Sequence, residues 1–66
     1  MTLKDFLAVV DVDADVVVWT KGGKRFTTSA MYEGTLKDKY LNAKIISVSA
    51  ESEPCFLYFY VDIDAE

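Results

Sequence analysis

The sequence predicts an α+β fold in which an N-terminal helix packs on a four-stranded, mostly antiparallel sheet. Three observations predict it. Residues 55–63, Cys-Phe-Leu-Tyr-Phe-Tyr-Val-Asp-Ile, lack helical apolar spacing and are dense in aromatic and β-branched side chains, the composition of a central strand. Leu3, Phe6, Leu7 and Val10 recur at the spacing of one helix face. Residues 16–20 and 25–31 flank Gly22-Gly23 as two strands flank a hairpin turn.

Taken in order, Thr2 and Asp5 have the spacing of a capping box, with the acid in the first turn where it complements the helix dipole. Asp11, Asp13 and Asp15 end that helix, because aspartate side chains compete for backbone groups and favour turns. The first strand places Val16, Val18 and Thr20 on one face, and Asp15, Val17 and Trp19 on the other. Its partner, 25–31, is lighter and more polar, as an edge strand tolerates. Thr35 and Asp38 repeat the capping-box spacing, which predicts a helical turn over 35–41. Residues 43–49 alternate again, with Ile45 and Ile46 on opposite faces, and 51–54 read as a polar loop because Pro54 restricts Glu53 to extended geometry. The final strand divides into a core row, Leu57, Phe59, Val61 and Ile63, and a second row, Phe56, Tyr58, Tyr60 and Asp62.

The chain reads as one small domain over 1–66, near the size where a single core barely offsets chain entropy. It is 52% hydrophobic, which exceeds what one small core needs and makes burial against another molecule an expectation. A net charge of −4 argues against nonspecific binding to nucleic acid and favours a basic partner. One cysteine permits no internal disulfide, and neither a signal peptide nor a membrane span is visible, so a cytoplasmic setting is expected.

Catalysis is poorly served. Without histidine the commonest general base is missing, so no catalytic residue and no cofactor is assigned. Cys55 reads as an inert core thiol. Asp11, Asp13 and Asp15 open like a calcium loop, but Val16 and Gly22 occupy the positions of its glycine and bidentate glutamate, so no metal site is assigned either. Lys21, Lys24 and Arg25 around Gly22-Gly23 could contact a phosphate or serve only as a solvated hairpin tip.

The most specific signal is the second row, Phe56, Tyr58 and Tyr60, joined by Trp19. One short helix covers one sheet face, so these rings have three fates. The middle segment with Met31, Tyr32 and Tyr40 can fold over them, another copy or a protein partner can bury them, or a base can stack on them. The sequence favours a non-enzymatic protein-binding module that forms a homo-oligomer through this face. The alternative is a nucleotide or single-stranded nucleic-acid binder using the same rings with Lys24 and Arg25.

The spread Leu3-Lys4-Asp5-Phe6-Leu7, Asp15-Val16-Val17-Val18, Tyr32-Glu33-Gly34, Lys44-Ile45-Ile46-Ser47-Val48 and Leu57-Tyr58-Phe59-Tyr60 resembles a layout common in small proteins of phages and mobile elements of Gram-positive bacteria. Some very short phage proteins inhibit host defences, including CRISPR nucleases, by binding a protein or sequestering a nucleotide signal. The resemblance implies an accessory protein that modulates a host protein in the host cytoplasm.

Overall fold

A computed structural model of the chain describes residues 1–32, 34–53 and 56–66. The elements run α1 (Leu3–Val9), β1 (Asp15–Thr20), β2 (Arg25–Thr28), α2 (Asp38–Leu41), β3 (Ile45–Glu53) and β4 (Phe56–Ile63). The sheet order is β2-β1-β4-β3. Two of its three pairings are antiparallel, β1 with β2 and β3 with β4, whereas the central pair β1 and β4 is parallel. The fold is the expected α+β arrangement, with a mixed sheet because two hairpins meet along strands that run the same way. No helix among the described residues is long and apolar enough to cross a membrane.

The capping box forms as the spacing requires. The Asp5 N–H donates to the Thr2 hydroxyl at 3.2 Å, and the Thr2 N–H donates to the Asp5 carboxylate at 3.1 Å. That backbone donor, with the Thr2 side chain, holds the Asp5 carboxyl below its ordinary range. A carboxyl depressed on folding supports the fold above its unfolded pKa, about 3.9, and the support is lost as pH falls through the lower folded value. The start of α1 therefore loosens in acid. We expect Thr2→Ala to cost about 1 kcal/mol at neutral pH, read as a lower midpoint in thermal unfolding; an unchanged midpoint would show that packing alone holds α1.

The core lies between the helices and one sheet face. Leu3 and Leu7 of α1 meet Val16 and Val18 of β1 and Val61 and Ile63 of β4, all essentially inaccessible, with Leu41 and Ala43 closing the cluster. Phe6 stands edge-on to Phe59, ring centroids 5.5 Å apart, an arrangement worth about 1 kcal/mol beyond its burial. Thr20 is the one buried polar residue in this region among those described, and its hydroxyl accepts the Lys24 N–H at 3.0 Å. The chain start is strapped to the sheet, because the Leu3 N–H donates to Ala43 and the Ile45 N–H donates to Met1.

Several boundaries differ from expectation, each for a local reason. Strand β2 stops at Thr28 rather than at residue 31. Its partner β1 begins at Asp15, and the Ser29 hydroxyl accepts the Met31 N–H to start a turn. Helix α2 begins at Asp38 with Lys37 as its cap, and Thr35 does not cap it. The Thr35 hydroxyl donates backward to the Tyr32 carbonyl, in a turn where Gly34 has φ +76°. Strand β3 runs on through Glu53, so 51–53 are strand rather than loop, paired with 56–58 of β4. The alternation of Ile45 and Ile46 is broken by an irregularity between Ile45 and Ser47, which leaves Ile46 61% exposed at a bulge. Cys55 and Pro54 lie outside the described residues.

Candidate functional site

Strand alternation assigns the second sheet face. Register aligns Arg25, Trp19, Asp62 and Ser47 in one row across the four strands. A second row is Thr27, Val17, Tyr60 and Ser49, and a third contains Asp15, Tyr58 and Glu51. The two central strands therefore supply rings and Val17 together with the carboxylates Asp15 and Asp62, while the outer strands supply hydroxyls, Arg25 and Glu51. Side-chain contacts follow this register. The Arg25 guanidinium lies 5.8 Å from the Trp19 ring centre, and the Ser47 hydroxyl donates to Asp62 at 2.7 Å.

Neither helix covers this outer face. The middle segment, offered by the sequence as a possible cover, goes to the opposite side: Tyr32, Leu36 and Tyr40 pack against the core cluster, and Tyr40 meets Phe26 at 5.1 Å. The reason is composition. Leu36, Tyr40 and Leu41 supply an apolar edge that extends the core, and Leu41 is 8% exposed there. Trp19 stays 43% exposed and Tyr58 and Tyr60 are partly exposed, whereas Val17 is only 5% exposed because its neighbours across the strands shield it. The backbone of Phe56 pairs with Glu53, and its side chain lies outside the described residues.

Lys21, Lys24 and Arg25, grouped in the sequence, do not converge. Lys21 turns to the last residues and pairs with Asp64 at 3.1 Å, an exposed bridge worth under about 1 kcal/mol. The hairpin closes through a Thr20 N–H to Lys24 carbonyl bond of 2.8 Å, with Gly23 at φ +90°, a backbone angle that suits glycine. Lys24 and Arg25 instead line a groove of about 550 Å³ with Phe26, Thr27, Thr35, Leu36, Lys37 and Tyr40. Sequence reasoning missed Lys37 and Tyr40 as companions of Lys24, because tertiary packing brings them together, the Phe26 to Tyr40 contact among it.

Asp11, Asp13 and Asp15 form a turn. The Asp11 carboxylate accepts the Asp13 N–H at 3.0 Å, and its carbonyl accepts the Ala14 N–H. Among the described residues no three acids or thiols gather closely enough to hold a metal ion. Set against protein-family models, characterised proteins and solved structures, the chain matches none of them.

Proposed function

We propose that this chain is a non-enzymatic protein-binding module that works as a homodimer through its outer sheet face. One observation carries the reading: an aromatic centre of Trp19, Tyr58 and Tyr60 sits inside a polar border on a face that the chain's own helices leave uncovered. Apolar and aromatic anchors within a polar rim are the ordinary anatomy of protein interfaces.

The order β2-β1-β4-β3 suits a second copy. A two-fold axis parallel to the strands, between β1 and β4, lays β1 over the other copy's β4 and β2 over its β3. Levels along the strands are kept. Trp19 then meets Asp62 of the other copy, Val17 meets Tyr60, Asp15 meets Tyr58, and Arg25 meets Ser47 one strand away from Asp62. Ring N–H and phenol donors face carboxylates, and Arg25, the one cation in these rows among the described residues, sits beside an anion. The eight residues of β4 span about 26 Å and four strands about 19 Å, giving a planar patch of roughly 500 Å². Standard interfaces bury about 800 Å² per partner, so this is a small, reversible contact.

A single thiol and an absence of histidine suit a binding role in a reducing cytoplasm. The layout shared with small phage proteins adds the expectation that the dimer modulates a host protein. Light scattering on a size-exclusion column over a range of loading concentrations tests the reading. We expect the mass to rise from 7.4 kDa toward twice that value, and a constant 7.4 kDa at millimolar protein would overturn it.

A further inference from the structure

The groove on the other side of β2 has a different chemistry. Three of the seven Lys and Arg residues stand at it in a chain of net charge −4, Lys24 and Lys37 in its lining and Lys39 5.0 Å from the ring of Tyr40, while Arg25 borders it and turns its guanidinium to Trp19 on the outer face. Among the described residues no carboxylate lines it. Lys24 is paired across the hairpin with Thr20 and lies two residues from Phe26, so Lys24 and Phe26 project to the helix side while Arg25 projects to the outer face with Trp19. The half-buried rings of Phe26 and Tyr40, tilted at 46°, and half-buried Leu36 form an apolar wall. Exposed Lys24 and Lys37 stand over it, with Thr35 along the groove and the β2 strand at Thr27 forming its edge.

Cations above an aromatic wall form a receptor for a ligand that is anionic at one end and flat and apolar at the other. A volume of about 550 Å³ falls within the range of small-ligand sites, roughly 300–1,000 Å³. We propose that this groove binds a phosphorylated small molecule carrying a planar ring, of the nucleoside monophosphate class, with its phosphate between Lys24 and Lys37 and its ring against Phe26 and Tyr40. The site uses none of Trp19, Tyr58 or Tyr60. It faces away from the proposed dimer contact, so the two proposals stand or fall separately.

The test is titration calorimetry of the whole chain with adenosine, guanosine, cytidine and uridine monophosphates, and with ribose 5-phosphate and inorganic phosphate as ring-free probes. At least one nucleotide is expected to bind more tightly than both ring-free probes and to weaken as salt rises. Lys24→Ala and Lys37→Ala, both at exposed positions that leave the core intact, are each expected to weaken it about tenfold, the loss of one charge-assisted hydrogen bond. Trp19→Ala should leave it unchanged. No heat with any probe at millimolar concentration would overturn the proposal, as would equal binding of ribose 5-phosphate. Binding that survives both lysine substitutions but is lost in Trp19→Ala would move the ligand to the outer face and overturn it equally.

Discussion

Tyr60→Glu is expected to abolish self-association while leaving the fold in place. Tyr60 sits at the centre of the outer face, level with Val17 of β1 and Ser49 of β3, and in the two-fold arrangement it is covered by the second copy's Val17. A carboxylate there must lose its water without gaining a partner, a cost of several kcal/mol that the symmetry incurs twice. Dimer affinity should fall more than about 100-fold. In the isolated chain the position is only partly buried, so the substitution costs about 1 kcal/mol of strand preference and the far-ultraviolet circular dichroism should persist. A well-folded variant with the wild-type mass at every concentration would remove this face from the interface. The pairing adds a sharper check: Arg25→Glu alone should weaken the dimer, and Arg25→Glu combined with Asp62→Lys should restore much of it.

Leu7→Ala should cost about 2–4 kcal/mol, the range for truncating a fully buried leucine whose surroundings collapse incompletely. Helix α1 has only seven residues, too few to persist by propensity, so it exists because Leu3 and Leu7 are buried against β1 and β4. A domain of this size holds roughly 3–10 kcal/mol in total, and the loss takes a large share of it. Val9→Ala is the control, since Val9 lies on the same helix but is 74% exposed and should change stability by less than about 0.5 kcal/mol. Urea unfolding at one fixed protein concentration reads both, because the proposed dimer would make midpoints depend on concentration. Equal midpoints for the two variants would contradict the core described above.

What was legible in the sequence was what local rules govern. The capping box and the spacing of Leu3, Phe6 and Leu7 announce α1, and alternation alone separates Val16 and Val18 from Val17 and Trp19. Residues 50–53 were not legible as strand, because Ala-Glu-Ser-Glu has little strand preference of its own. They extend because β4 offers a partner for each of them. The path of the middle segment was equally hidden. It depends on whether Leu36, Tyr40 and Leu41 gain more against the core side or the ring side, a comparison between surfaces that exist only after folding. The groove depends on the same choice, since Lys37 lies thirteen residues from Lys24 and joins it only through that packing.

The place of β4 carries a consequence for how the molecule is made. It is a central strand, yet it follows every other element, so the β1–β2 hairpin leaves the ribosome with its inner edge unsatisfied. Thirty-five residues separate the end of β1 from the start of β4, and at about 5–20 residues per second the wait is roughly 2–7 s. During that interval the exposed edge carries Val16, Val17 and Val18, a ready template for strands of neighbouring nascent chains. Association of nascent chains through that edge is then a route of loss separate from unfolding of the finished molecule.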